Sequence, residues 1–176
     1  MLDSSPEGMG CALDELIAPE GLDELEYTET PALEDLQLVL AEGYGFPLEL
    51  SRRVTAGVPA GPTTLVGLAH LEGRPACTAQ VTTAGEDAGV YAVATVPDAR
   101  GRGLASAAVR LLSAWAFAEW RMARLQLTTH LDNPASQRVA EKAGYVREAV
   151  LRSWTEQRGT RVDLIMYSLL ASDLAG

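Results

Sequence analysis

The first 51 residues contain no lysine or arginine, against 13 aspartates and glutamates. The remainder carries 14 basic and 11 acidic side chains, so the overall charge of −10 comes from the N-terminal part and the rest is mildly basic. Without a strong basic footprint the chain is not expected to bind nucleic acid. The acidic stretch reads as a solvated face, or as a field that draws a cationic acceptor. No run of about 18 apolar residues occurs, which argues against a membrane span. The start, "MLDSSPEGMG", has neither a basic nor an apolar signal region, so secretion is not expected. The two cysteines, Cys11 and Cys77, show no C-x-x-C spacing and no nearby histidine cluster. A reduced, cytoplasmic setting without a metal site follows as the plain expectation.

What is present is an ordinary globular composition, 47% hydrophobic and 22% charged, in 176 residues. One domain is expected. Residues 1–24, rich in proline, glycine and acid, read as a loosely attached extension, and 25–176 as the folded domain. "LEYTET" suggests a first strand. "PALEDLQLVLAEGYG" places leucines at helical spacing between Pro31 and Gly43, and "PLELSRRVTAG" is a second helix candidate. Two β-type runs flank a turn at Gly73-Arg74, and "AGVYAVATV" makes a third; all three are apolar on both faces, as covered interior strands are. "LASAAVRLLSAWAFAEW" is a long helix with one apolar face, on which Trp115, Phe117 and Trp120 read as packing residues. "RLQLTTH" is a strand. Asn133, Pro134 and Gly144 punctuate a further helix, and a closing strand pair surrounds "QRGTR". The order β-α-α-β-β-β-α-β-α-β-β predicts an α/β (α+β) fold, a mixed central sheet flanked by helices.

The chemistry concentrates at "VPDARGRGLA", residues 96–105. A strand that enters a glycine turn and then a helix exposes several N–H groups at the positive end of the helix dipole, an arrangement suited to phosphate. Arg100 and Arg102 can add charge-assisted hydrogen bonds. A Walker loop fails for want of lysine after the second glycine. A dinucleotide loop is a poor fit, because position 106 is serine where glycine is wanted. An incidental turn remains possible on these residues alone.

The stretch "VATVPDARGRGLASAAVRLL" resembles the acetyl-coenzyme A motif of the GCN5-related N-acetyltransferase (GNAT) family, R/Q-x-x-G-x-G/A, here on Arg100, Gly103 and Ala105. About 30 residues later, "DNPASQRVAEKAGYVREAVLR" resembles the RimL/RimJ-like branch, with Asn133, Ser136, Glu141, Lys142, Gly144, Tyr145 and Glu148 in the pattern positions. The resemblance implies acetyl-CoA as co-substrate, no metal, and transfer to a primary amine: a protein or peptide N-terminus, or a small-molecule amine. It implies that Val93, Ala94 and Thr95 pair with the pantetheine arm. The amides of Arg100, Gly101, Arg102, Gly103, Leu104 and Ala105 would hold the pyrophosphate, and Asn133 would touch the cofactor as well as cap its helix. Many members carry an acid tyrosine seven residues after the asparagine; here that position is Ala140. Ser136 and Tyr145 are therefore the candidate proton donors, each with a bland alternative, a helix-start hydroxyl and a core ring. His130 is a candidate base through a water, and Arg152 and Trp154 candidate borders of the acceptor cleft. The domain is expected as monomer or homodimer. An acyl-CoA-binding regulatory module with little catalysis is the alternative, and a dinucleotide-binding oxidoreductase domain the remote one.

Overall fold

The computed structural model describes residues 26–28, 32–56 and 63–175; the expected N-terminal extension at 1–24 lies outside them. The elements are β1 (Glu26–Thr28), α1 (Leu33–Tyr44), α2 (Leu48–Thr55), β2 (Thr64–Leu71), β3 (Arg74–Ala84), β4 (Asp87–Thr95), α3 (Leu104–Glu119), β5 (Arg124–His130), α4 (Pro134–Lys142), β6 (Val146–Gln157) and β7 (Thr160–Leu169). Their order is the one the sequence predicts. They build one seven-stranded sheet, in the spatial order β1-β2-β3-β4-β5-β7-β6.

Side-chain alternation assigns the two faces of the sheet. On β2, Leu65 and Ala69 join the core beneath α3, while Val66 and Leu68 pack with Leu36, Val39 and Leu40 of α1. Gly67 lies on the α3 face, where an added Cβ would sit 3.4 Å from Leu112. The small residues of α3 let that helix lie close: Ala107, Ala108, Ser113 and Ala116 are all buried. With both faces covered, strands of this kind carry apolar residues at successive positions.

β4 breaks the alternation midway. Ala88 and Val90 face the α3 core, yet Ala92 and Ala94 pack with α1, and Val93 packs toward α3. The cause is a bulge: the β3–β4 register shifts between Thr78 and Gln80, and Ala92 takes φ +50°. One extra residue turns the following side chains to the opposite face and bends the strand. The same bend separates β4 from its parallel neighbour. β4 pairs with β5 only over Asp87–Gly89 and Arg124–Gln126. Beyond those residues the two strands diverge.

At the far side of the sheet, Glu148 of β6 receives two hydrogen bonds from Arg124 at the start of β5, at 2.9 and 2.6 Å, and one from Ser168 of β7 at 2.7 Å. It thus ties β6, β7 and β5 together. The bonds to Arg124 and Ser168 hold its carboxyl at about 2, well below the ordinary value. Among the described residues no helix is long and apolar enough to cross a membrane.

Candidate active site

The divergence of β4 and β5 opens a cleft of about 720 Å³. Val90–Thr95 form one wall and Leu127–His130 the other. The glycine turn and the start of α3 close one end, and Asn133, Ser136, Arg138, Val139 and Lys142 approach from α4.

The glycine turn follows a short helical turn at Pro97–Ala99. Gly101 and Gly103 have φ of +79° and +87°, the left-handed region, which glycine enters without steric cost. Gly103 starts α3 without a side-chain cap, and no acidic residue occupies the first turn. The first amide closed within the helix is that of Ala107, onto Gly103 at 3.0 Å. The N–H groups of Leu104, Ala105 and Ser106 precede it, and a helix start leaves such groups for a ligand. All three residues line the cleft. Leu104 also buries its side chain beneath the turn, which anchors the loop.

Of the residues expected to face a cofactor, Val93, Ala94, Thr95, Arg100, Gly101, Gly103, Leu104, Ala105 and Asn133 line this cleft. Arg102 does not; it borders a separate pocket of about 250 Å³ with Leu38, Glu42, Arg74 and Asp98. Arg100 has structural partners. Its guanidinium donates to the carbonyl oxygens of Gly43, at 2.7 Å, and Thr95, at 3.3 Å.

The two candidate proton donors separate. Ser136 lines the cleft, and its backbone N–H, not its hydroxyl, donates to the Asn133 side-chain oxygen at 3.0 Å. Asn133 is therefore both cap and cleft residue. Tyr145 is 3% exposed and belongs to the α3 core. Its hydroxyl shares a 2.8 Å hydrogen bond with Ser113. Burial pushes it up to about 12, against the opposing pull of the Ser113 bond. It is absent from the cleft lining, and Ala140, at the expected tyrosine position, is fully buried.

His130 lines the cleft at the end of β5. Gln137 secures the turn beyond it by donating to the carbonyls of His130 and Leu131, both at 3.0 Å. Arg152 and Trp154 are not among the cleft residues. Trp154 stands 58% exposed beside a β6 bulge at Ser153, which Asp163 and Arg161 of β7 hold through its backbone.

Sequence reasoning missed several cleft residues. Tyr44, at the end of α1, donates to the Val93 carbonyl at 3.1 Å and stacks on Phe46. The residue is 46% exposed, so its ring faces the cleft while its hydroxyl holds the strand. Gly43 beside it allows α1 to touch β4: an added Cβ would meet Ala94 Cβ at 2.9 Å and the Thr95 nitrogen at 3.2 Å. Thr128 and Thr129 line the β5 wall, and Arg138 and Lys142 add positive charge from one face of α4. In the sequence Lys142 stood out only as a position of the family pattern, and its i, i+4 spacing from Arg138 was the signal that could have joined the two.

Residues 32–146 match the acetyltransferase (GNAT) domain family. The chain belongs to this family. A relative in Bacillus subtilis, provisionally named ribosomal N-acetyltransferase YdaF, is 33% identical over 76 residues, which are 43% of this chain and 42% of that protein. The chain thus matches less than half the length of that curated relative. Among solved structures, Mycobacterium smegmatis RimJ in complex with a CoA disulfide superposes with a TM-score of 0.71 at 16% identity, covering 86% of this chain and 84% of its own. A variant of the SpeG spermidine N-acetyltransferase from Vibrio cholerae gives 0.70 at 12% identity, covering 87% and 97%. These two likenesses establish the GNAT fold, with its opened central strands.

Proposed function

We propose that this protein is an acetyl-CoA-dependent N-acetyltransferase that passes the acetyl group directly to a primary amine. One observation carries the proposal: the opening between β4 and β5 and the uncapped start of α3 belong to a single cleft. An extended chain ending in a pyrophosphate matches that combination of free strand edge and free helix amides.

In this reading the amides of Gly101–Ala105 hold the pyrophosphate, the Arg100 N–H being donated to the Pro97 carbonyl at 3.2 Å. Lys142 and Arg138 supply the positive charge that the sequence had suggested for Arg102. Acetyl-CoA brings an activated thioester on an arm that carries amides. The Val93 and Thr95 carbonyls already accept from Tyr44 and Arg100, so the Val93–Thr95 edge meets that arm through its N–H groups, and an amide of the same segment stabilises negative charge developing on the thioester oxygen. The neutral amine attacks the carbonyl carbon, the carbon–sulfur bond breaks, Ser136 gives its proton to the departing sulfur, and the proton shed by the acylated nitrogen passes through water to restore the Ser136 hydroxyl. Asn133 fixes the Ser136 backbone for this task. Tyr145, enclosed beside Ser113, packs the core.

The acceptor is proposed to be the α-amine of a protein or peptide, with a small-molecule amine as the second choice. Among the described residues the charged groups lining the cleft are Arg100, Arg138 and Lys142, and none is acidic. A polyamine would bring several positive charges to a wall with no countercharge. An α-amine, with a pKa of about 8 against about 10.4 for lysine, also loses its proton more easily.

Thiol release from acetyl-CoA, measured over a panel of peptide N-termini, spermidine and small amines, tests the proposal. Turnover on peptides above that on spermidine is the expected result. Cofactor binding with no turnover on any amine would leave a binding module and overturn the enzyme.

A further inference from the structure

Thr129 lies on β5, in the wall of the cleft. The residue is 6% exposed, and its hydroxyl oxygen is enclosed without a hydrogen-bond partner among the described residues. An enclosed hydroxyl without a partner is uncommon, because burial strips it of water and offers nothing in return. Other buried hydroxyls in this protein are matched: Thr78 donates to Gly67, Ser113 to Val109, and Ser51 to Gln37. The exception falls within the candidate site.

Its place in the strand explains why. The backbone of Thr129 pairs with Ile165 of β7 on one side. On the other side β4 has already turned away, since β4–β5 pairing ends at Gly89 and Gln126. Extending that parallel register would bring Thr129 opposite the bulged residue Ala92. Thr129 therefore sits three residues past the end of that pairing, within the opened part of the sheet that the cleft occupies. A ligand that fills the gap between the strands is the partner that this geometry leaves for it.

We propose that the Thr129 hydroxyl is a ligand-binding group that hydrogen-bonds an amide of the pantetheine arm. It rests on the proposal that acetyl-CoA occupies this cleft. A threonine hydroxyl can donate to an amide carbonyl or accept from an amide N–H, and the arm offers both. The contact is formed only in the complex, so the free protein carries the uncompensated group and the bound protein does not. The residue discriminates an amide-bearing arm from a purely aliphatic chain of the same length.

The test replaces Thr129 by valine, which keeps the shape and removes the hydroxyl, and by serine, which keeps the hydroxyl. Calorimetry follows binding of coenzyme A and, separately, of its nucleotide fragment without the arm. Thr129→Val is expected to weaken coenzyme A by about five- to tenfold while leaving the nucleotide fragment within about twofold. It should also raise the Tm of the ligand-free protein, because the orphaned group is gone. Thr129→Ser should bind coenzyme A nearly as the unaltered protein does. Equal coenzyme A affinity in the valine variant, with the unaltered protein binding normally, would overturn the Thr129 contact alone. Equal weakening of the nucleotide fragment would overturn it as well, since the effect would then be general. Failure of the unaltered protein to bind coenzyme A at all would overturn both this contact and the acetyltransferase proposal.

Discussion

The guanidinium of Arg100 donates to the carbonyl oxygen of Gly43 at 2.7 Å, joining the end of α1 to the strand that feeds the glycine turn. A second bond from the same side chain reaches Thr95. Arg100 thus holds the cleft end together, whereas Arg102 borders a different pocket. Arg100→Ala is expected to lower Tm by about 2–4 °C and to weaken coenzyme A. Arg102→Ala should leave Tm unchanged and affect affinity less. Thermal melts and titrations of both variants check this difference.

Gly43→Ala places a methyl 2.9 Å from Ala94 Cβ and 3.2 Å from the Thr95 nitrogen. α1 or β4 must shift to admit it. A destabilisation of about 1–3 kcal/mol is expected in denaturant melts, as for other overpacked contacts. Weaker coenzyme A binding should accompany it, because β4 is the cleft wall.

Ser136 and Tyr145 make opposite predictions. Ser136→Ala should cut kcat by about a hundredfold while changing coenzyme A affinity little, as loss of a proton donor does. Tyr145→Phe should leave kcat within about twofold and lower Tm, because it removes the partner of Ser113. Steady-state kinetics on the two variants decides between them.

Glu148 links acid stability to the closing strands. Its carboxyl titrates at about 2 in the folded protein, against an ordinary 4.5. A depressed carboxyl stabilises the fold above its unfolded value, and that contribution is lost as pH falls from about 4.5 toward about 2. Glu148→Gln should lower Tm at neutral pH and flatten the Tm–pH curve across that window. Melts at a series of acidic pH values measure it.

The element order was legible because each helix carries its own punctuation. Asn133-Pro134 before α4 and the glycines around α3 are local signals, and local signals survive in a linear sequence. The glycine turn was legible for the same reason. The bulge at Ala92 was not: "AGVYAVATV" is apolar on both faces, so a change of face leaves no trace in its pattern. The partners of Arg100 also lay out of reach, since Gly43 is 57 positions away in the chain. Glu148 stood out as part of a family pattern, yet its work is to join three strands, which only the sheet order reveals. Tyr145 could be weighed as acid or core, and burial beside Ser113 settles its surroundings. Thr129 had no signal at all, because a threonine in a strand is commonplace until its hydroxyl is found alone.

The change of face in β4 has a mechanical side. Val93, Ala94 and Thr95 form the cleft wall, and α1 rests on the same three residues: Tyr44 on the Val93 carbonyl, Gly43 against Ala94, and Gly43 again tied to the Thr95 end through Arg100. The end of α1 is therefore a buttress built into the wall itself, since Gly43 and Tyr44 border the same cleft as the strand they brace. A change at the end of α1 is a change in the wall, with no intervening layer to absorb it.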